Sequence, residues 1–295
     1  MRIGCQTVGY GKDVTDELAI KLAYNAGFTA LDFSVESEAR LGMPDKDFNE
    51  YFSGLGKMAF DLGMEVGQTH APFYTFNTQM ADYDAKIEFT KKAIKATALL
   101  GSKYTVIHAI KPPLRQFNEY MKETKEINEK FYKALIPTLK EYDVYCAIEN
   151  LFAGDKNGDI VPSSCSTAEE LAEYIDICDE RFVCCLDIGH VNVVTQNKGY
   201  EHVNYRHMCR MLGDKIKVLH VHDNNGKRDQ HLIPYAGSID WDEVVKSLKS
   251  IGYSGNLSLE TFYFMQQIKS ECLETGMGMM YMAGKRIYDM FMRQI

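Results

Sequence analysis

The hydrophobic pattern of this chain is an alternation of short apolar runs with longer amphipathic stretches. The runs are nearly continuous, as in strands of a parallel sheet that are buried on both faces. They occupy residues 3–8, 30–35, 65–70, 104–110, 143–150 and 182–188, a seventh begins at Ile216, and the eighth covers 255–261. The pattern therefore predicts eight strands separated by helices.

The helices predicted between these strands have recognisable boundary signals. They cover residues 13–25, 45–62, 82–100, about 116–142 and about 200–212. Thr167 is the expected N-cap of a further helix, AEELAEYIDIC, and Asp240 that of WDEVVKSLKSIG, because such side chains accept hydrogen bonds from free backbone N–H groups. The polar segment GDKNGDIVPSSCS is expected to form a loop.

Eight strands alternating with eight helices predict an α/β fold, a single (β/α)8 TIM barrel. A doubly wound open sheet is the alternative, since it shows the same alternation of elements. No linker rich in proline, glycine or serine divides the chain and no low-complexity tract occurs in it. We therefore expect one domain that spans residues 1–295.

Composition and charge narrow the classes of function. The 295 residues are 45% hydrophobic and 25% charged, and the net charge of −8 disfavours nucleic acid or an anionic membrane as the partner. No apolar run approaches the ~18 residues of a membrane span, and the chain enters a strand at once instead of a signal segment. The eight cysteines lie mostly in apolar runs without a CxxC motif. These features predict a cytoplasmic protein with reduced cysteines; a homo-oligomer stays open.

Candidate chemistry is concentrated at the carboxyl ends of the predicted strands. In a closed barrel these ends converge on one mouth, which is where such folds carry their active sites. Six of the eight histidines fall on strand ends or on the loops that follow them; they are His70, His108, His190, His220, His222 and His231. His202 and His207 fall instead in a predicted helix, where a surface or packing role is expected.

Three carboxylates share this position at strand ends: Glu149, Asp187 and Glu260. A buried carboxylate costs several kcal/mol unless its charge is offset, and three that face one mouth would repel each other. A divalent cation resolves both problems. The mixture of oxygen and imidazole donors suits Mn²⁺, Zn²⁺, Co²⁺ or Mg²⁺ as the cofactor, and the absence of thiolates disfavours a closed structural zinc site.

Single members of this set also have other interpretations. Asp187 and His190 form the stronger unit, because Gly189 is expected to let the chain turn so that both side chains face the mouth. For His70 and His108, a second metal, a substrate contact and a buried hydrogen-bonded histidine stay open.

These motifs resemble the sugar isomerase/epimerase superfamily with xylose isomerase-like barrels, which includes ketose 3-epimerases, inosose dehydratases and isomerases, and endonuclease IV. The resemblance covers nearly the whole chain and is carried by Glu149, DIGH at 187–190, HVHD at 220–223, Glu260 and IDW at 239–241. For the epimerases it implies that Glu149, Asp187, His220 and Glu260 hold one divalent metal. It also implies that the two glutamates exchange protons with the substrate.

For endonuclease IV the resemblance implies a site of three zinc ions. Its ligands would be residues like His70 and His108, a bridging glutamate like Glu149, and others like Asp187, His190, His220, Asp229, His231 and Glu260. Every one of these positions is matched in this chain. Retained ligands therefore do not separate the two chemistries.

The chain departs from its relatives in the loop after the seventh strand. Relatives often carry Gly-x-Gly before the helix, whereas only Gly237 is kept here and Tyr235 occupies the earlier place. The substrate-binding arginine of the epimerases has no clear match, and Lys227 and Arg228 are offset candidates. Because of this departure, the sequence does not identify which sugar is the substrate or whether that sugar is phosphorylated.

The function expected from the sequence is a divalent-metal-dependent isomerase or epimerase of a small sugar, ketose or polyol-derived ketone. Glu149 and Glu260 would be the acid and base, and His190, His108, His70 and Arg228 would contact the substrate. An inosose-type dehydratase uses the same enolate and differs by one step. A zinc phosphodiesterase acting at abasic DNA sites should add basic phosphate contacts, for which the strand-end loops offer few residues beyond Lys111, Lys227 and Arg228. A sugar-binding barrel without catalysis would not need two glutamates on one metal.

Overall fold

The computed structural model describes residues 1–74, 83–110, 121–154 and 159–293. Its strands in chain order are β1 Ile3–Gln6, β2 Ala30–Ser34, β3 Glu65–His70, β4 Tyr104–Val106, β5 Tyr145–Glu149, β6 Phe152–Gly154, β7 Ile160–Pro162, β8 Phe182–Asp187, β9 Ile216–His220 and β10 Leu257–Leu259. Its α-helices are α1 Asp16–Ala26, α2 Glu38–Leu41, α3 Asp45–Asp61, α4 Tyr83–Leu99, α5 Met121–Glu141, α6 Ala168–Cys178, α7 Ile188–Thr195, α8 Tyr205–Leu212, α9 Trp241–Ser250, α10 Phe262–Gln266 and α11 Leu273–Met292.

Eight of these strands form one parallel sheet in the order β10-β1-β2-β3-β4-β5-β8-β9. The two edge strands, β9 and β10, meet just beyond their ends. There the backbone N–H of Val221 donates to Ser258 O at 2.8 Å, and that of Glu260 donates to Val221 O at 3.1 Å. The sheet thus curls into the predicted (β/α)8 barrel, and the open-sheet alternative is wrong.

The helix caps follow the sequence closely. The Thr167 hydroxyl accepts a hydrogen bond from the Glu170 N–H at 3.3 Å at the start of α6. The Asp240 carboxylate accepts from the Glu243 N–H at 3.1 Å at the start of α9. None of the helices in the described residues is long and apolar enough to cross a membrane.

Several elements differ from the prediction. The segment expected to be a polar loop after β5 contributes strand β7, which pairs with β6 in a small antiparallel hairpin. The strand predicted at 104–110 ends at Val106. Helix α8 begins at Tyr205 rather than near residue 200, because the Asn204 side chain accepts a hydrogen bond from the His207 N–H at 3.1 Å and caps the helix there. His202 therefore lies before the helix and not in it.

The inward face of the barrel has an apolar layer below a polar one. Five buried side chains form a compact cluster of their own in the described chain: Val106, Ala147, Val183, Cys185 and Val218. Because side chains two residues apart share a face of a strand, Ala147 is followed on the same face by Glu149, Cys185 by Asp187, and Val218 by His220. The alternation within each strand thus places charged groups directly above the barrel core. All eight cysteines are free, and six of them are buried.

Candidate metal centre at the mouth of the barrel

The four residues predicted as ligands of one metal converge above the core. His220 lies between the other three, with its Nδ1 at 3.2 Å from Glu149 Oε2, 3.5 Å from Glu260 Oε2 and 3.8 Å from Asp187 Oδ2. Glu149, Asp187 and His220 end strands β5, β8 and β9, and Glu260 follows β10 directly. We refer to these four residues as the first set.

A buried carboxylate below the first set orients His220. Asp32 Oδ2 lies 3.2 Å from His220 Nε2, the ring nitrogen that faces away from the other carboxylates. Asp32 is held in turn by Gln68 Nε2, which donates at 2.8 Å, and by the Ser258 hydroxyl, which donates at 3.3 Å. A proton on Nε2 leaves the lone pair of Nδ1 directed at the first set, as in carboxylate–histidine–metal arrangements. Asp32 was missed in the sequence, although an aspartate inside an apolar strand is a usable signal.

His70 and His108 form a second group with Glu149. The two Nε2 atoms are 3.1 Å apart, and His108 Nε2 is 2.8 Å from Glu149 Oε2. His70 Nδ1 is 2.9 Å from the carbonyl oxygen of Ala71 and 3.2 Å from Glu36 Oε1. Glu36 is therefore a further site residue that sequence reasoning missed. His70, His108 and Glu149 offer donor atoms within 4.8 Å of one another, a spacing that suits a metal ion.

A third group surrounds Asp229, and it is larger than predicted. His231 Nε2 lies 2.9 Å and His190 Nε2 3.8 Å from Asp229 Oδ2, while His222 Nε2 lies 3.8 Å from Asp229 Oδ1. His190, Asp229 and His231 are among the predicted candidates for an additional metal, whereas His222 was predicted only as one of the histidines at the strand ends. Its buried position in the sequence VLHVHD, two residues after His220, was the available signal.

The role expected of Gly189 as a turn residue is wrong. Asp187 is the N-cap of α7 and accepts a hydrogen bond from the His190 N–H at 2.6 Å, so His190 lies in the first turn of a helix. Gly189 is required for a different reason. A Cβ atom at this position would lie 1.9 Å from Cε1 of His222, so the glycine makes room for the imidazole ring.

The tautomers of these histidines support metal ligation. His190 Nδ1 lies 2.8 Å from the carbonyl oxygen of Asn150, and His231 Nδ1 lies 2.8 Å from that of Glu260. A carbonyl oxygen can only accept, so each Nδ1 carries a proton, and each Nε2 presents a lone pair when the ring is neutral. His70 is held in the same way through Ala71. Donating one ring nitrogen to a backbone carbonyl while the other faces carboxylates is the usual arrangement of metal-bound histidine, and the residues present therefore fit a divalent ion.

The pKa values of the mouth residues reflect crowding of charge in a buried place. Burial raises the pKa of Glu260 to about 7, more than the nearby histidines lower it. Burial alone would lower the pKa of His70, but its hydrogen bond to Glu36 and the charge of that group raise it to about 9. For Glu149, burial is outweighed by His108 and His220, which hold its pKa well below the usual range. Without a cation, protonated histidines are thus the counter-charges of these carboxylates.

A cavity of about 490 Å³ opens above these groups. Its floor includes His70, His108, Glu149, His190, Asp229, His231 and Glu260, and its walls include Phe73, Phe152, Phe262 and Tyr263. None of the described residues that line the cavity is a lysine or an arginine. Arg228, a predicted substrate contact, is exposed and does not line the cavity, and Lys227 is exposed as well. Lys111 lies outside the described residues.

The fold and the mouth together define a TIM barrel whose strand ends carry histidines and carboxylates. A family model described as xylose isomerase-like TIM barrel matches residues 20–280. The chain belongs to this family, and the resemblance inferred from its motifs is confirmed.

Relatives of the chain come from both branches of that resemblance. An uncharacterized protein of Methanocaldococcus jannaschii, MJ1311, is 29% identical over 68% of this chain and 66% of its own length. A D-psicose 3-epimerase of Ruminiclostridium cellulolyticum is 24% identical over 75% of this chain and 80% of its own. A probable endonuclease 4 of Listeria welshimeri is 30% identical over 55% of this chain and 53% of its own length.

Solved structures share the fold over nearly the whole chain. A D-tagatose 3-epimerase-like protein superimposes with a TM-score of 0.76 at 22% identity, covering 99% of this chain and 98% of its own. The IOLI protein, whose crystal structure contains a bound zinc atom, has a TM-score of 0.71 at 19% identity with the same coverage. These similarities show the fold alone.

Proposed function

We propose that this chain is a divalent-metal-dependent isomerase or epimerase of a small sugar, ketose or polyol-derived ketone. The observation that carries the proposal is the position of two glutamates from different strands. Glu149 and Glu260 approach the same His220 nitrogen, at 3.2 and 3.5 Å, and both line the cavity. Two carboxylates beside the substrate can act as the base that removes a proton from carbon and the acid that returns one.

In this proposal Glu149, Asp187, His220 and Glu260 hold the metal, which when bound supplies a Lewis acid beside the substrate carbonyl. One glutamate removes the proton from the carbon next to the carbonyl, and the other returns a proton. Burial raises the pKa of Glu260 to about 7 in the metal-free protein, and a bound cation would lower it, so the metal must acidify the substrate by more than it weakens the base. His70 and His108, which line the cavity, would contact a substrate oxygen or hold a further ion together with Glu149.

The cavity supports a small substrate with an apolar side. Its volume of about 490 Å³ lies in the range of small-molecule sites. Phe73, Phe152, Phe262 and Tyr263 offer flat apolar faces for the C–H surface of a sugar ring. An inosose-type dehydratase would use the same cavity and the same first proton transfer.

A zinc phosphodiesterase acting at abasic DNA sites is the second candidate. The observation that favours it is the assembly of all three groups, including His70 and His108 with Glu149, and His190 with Asp229 and His231. The acidic net charge of −8 weighs against a DNA duplex as substrate.

Exchange of a carbon-bound proton distinguishes these candidates. The metal-loaded protein would be incubated in heavy water with a panel of ketoses and inososes, and the substrates examined by NMR. We expect deuterium at the carbon beside the carbonyl of one substrate class. No exchange with any member of the panel, together with nicking of a duplex that carries an abasic site, would contradict the isomerase and favour the phosphodiesterase.

A further inference from the structure

We propose that Glu36 is a specificity-determining residue, which accepts hydrogen bonds from hydroxyl groups of the substrate and excludes substrates that carry a phosphate or carboxylate group there. The substrate class is then an uncharged polyhydroxy ketone. This inference rests on the proposed function, because it takes the cavity to receive such a ketone. It does not depend on whether the ketone is isomerised, epimerised or dehydrated.

Glu36 lies across the mouth from a ligand of the first set. It follows β2 by two residues, and β2 is four strands from β8, which carries Asp187, in either direction around the barrel. Its Oε1 lies 3.2 Å from His70 Nδ1, while His70 Nε2 lies 3.9 Å from Glu149 Oε2. One imidazole ring thus separates Glu36 from the first set, so a sugar of several carbons bound beside the first set is long enough to reach it.

The carboxylate of Glu36 is not needed to hold His70. The same Nδ1 already lies 2.9 Å from the carbonyl oxygen of Ala71, which accepts its proton. Glu36 uses only one oxygen on this ring, and Oε2 has no hydrogen-bond partner among the residues that the structure describes. The side chain is 36% exposed and lines the cavity. A carboxylate oxygen is therefore available there to accept a hydrogen bond from a ligand.

The loops on either side of Glu36 supply no cation to the cavity within the described ranges. Those after β1 and β3 line it with Val8, Gly9, His70 and Phe73. His70 has already directed its Nδ1 proton to Ala71 and Glu36. An anionic group placed here would face a carboxylate without a neighbouring lysine or arginine to offset the two charges.

This environment treats hydroxyl and phosphate groups in opposite ways. A hydroxyl donates to a carboxylate in a charge-assisted hydrogen bond, which is stronger than one between neutral groups. A phosphate monoester carries a charge of roughly −1.5 to −2 at pH 7, so it is repelled by the carboxylate and both groups lose hydration. One side chain thus provides an attractive contact for the right substrate and a repulsive one for the wrong substrate, which is how specific sites discriminate.

Glu36 has one competing role, which is to act only through His70. A residue that merely positions His70 would affect all ligands of the cavity alike, or would reduce the metal content. A specificity-determining residue changes the ratio of affinities for uncharged and phosphorylated ligands. Glu36→Gln separates the two roles, because the glutamine oxygen can still accept from His70 Nδ1 but no longer carries a charge.

The test compares the binding of hexitols and hexitol monophosphates to the metal-loaded, full-length protein by calorimetry. Hexitols lack a carbonyl group, so their binding is measured without turnover. We expect the wild-type protein to bind the free hexitols at least about tenfold more tightly than the monophosphates. Glu36→Gln should weaken hexitol binding about tenfold and reduce this preference. Glu38→Gln is the matched control, because Glu38 is exposed on α2 and does not line the cavity; both affinities should stay unchanged.

Three results would overturn the inference. Tighter binding of the monophosphates by the wild-type protein would point to cations outside the described residues, such as Lys111. An unchanged preference in Glu36→Gln, or a loss of metal in that variant, would leave Glu36 as a positioning residue of His70. Deuterium exchange, measured separately, keeps the two proposals apart. Discrimination by Glu36 without exchange into any ketone would support the inference and contradict the isomerase, whereas exchange into a ketose phosphate alone would support the isomerase and overturn the inference.

Discussion

Carboxylates lie at both ends of the barrel, but they are exposed to water at one end and buried at the other. At the amino ends of the strands, Arg2 pairs with Glu65 at 3.2 Å, and the side chains remain 43% and 49% exposed. At the carboxyl ends, Glu149 and Asp187 are 1% and 0% exposed beside His220. The first pair keeps its hydration, whereas the second group has lost it.

This difference in solvation decides what each end contributes. Exposed ion pairs stabilise a fold by roughly 0–1 kcal/mol, because water already satisfies both partners. Buried carboxylates cost several kcal/mol each unless a cation or hydrogen bonds compensate. Charge at the amino end is therefore a surface feature, while charge at the carboxyl end is tolerated only with compensation, which favours a functional interpretation.

The largest contrast should come from the same substitution at the two ends. Glu149→Gln and Glu260→Gln retain the side-chain shape but cannot carry the proton, so each should lower kcat by about 10² or more. Turnover would be measured at saturating metal on the substrate identified by deuterium exchange. Glu65→Gln is the control and should keep the wild-type rate. A near-native rate in either mouth variant would remove that glutamate from the proton transfer.

The next largest effect should be the pH dependence of metal affinity at the carboxyl end of the barrel. His70 has a pKa of about 9 in the metal-free protein because of Glu36, and it must lose its proton before it can bind a metal. Affinity for the ion bound with His70 should therefore be constant above pH 9. It should fall about tenfold per pH unit below, or about a hundredfold at pH 7. Competition with a metal-binding dye at several pH values measures this; an affinity independent of pH would exclude His70 as a ligand.

Removal of the charge below His220 should have a smaller effect. Asp32→Asn keeps the size of the side chain but weakens the control of the His220 tautomer, so metal affinity of the first set should drop about 10–100-fold. Asp143→Asn, at an exposed aspartate of the amino end that pairs with Arg181 at 2.5 Å, is the matched control. Equal affinities in the two variants would show that Asp32 has only a structural role.

Packing at the mouth can be tested through glycine. Gly189→Ala forces the His222 ring to move and should destabilise the fold by about 1–3 kcal/mol, as in other overpacked sites. Gly278→Ala in helix α11 has no atom within 4 Å of the added Cβ and should be neutral or slightly stabilising. Denaturant unfolding of the two metal-free variants measures the difference, and equal stabilities would contradict the close contact.

The smallest effect is expected at the amino end. Glu65→Gln should lower the free energy of unfolding by about 1 kcal/mol or less, and less still at high salt, because both partners are half exposed. Unfolding in urea at low and high salt measures it. A loss of several kcal/mol that persists in salt would mean that the pair is buried in solution, which would abolish the contrast between the two ends.

The sequence by itself determined the architecture and most of the residues at the mouth. Eight apolar runs separated by capped helices predicted the barrel, because the period of the apolar positions reflects the backbone geometry of each element. The polar residue that ends a buried strand, such as Glu149 or Asp187, could be recognised since nothing in the apolar core requires it. The N-caps Thr167 and Asp240 are local signals of the same kind.

Only the tertiary structure decided which of these groups face one another. Asp32 lies far from His220 in the chain. His222 follows the end of β9, so its position beside Asp229 depends on the loop after that strand. The outward position of Arg228 and the start of α7 at Ile188 depend in the same way on packing. Periodicity reports contacts within one element, whereas ring orientation, tautomer and donor distance arise from neighbours that are remote in sequence and close only in the folded chain.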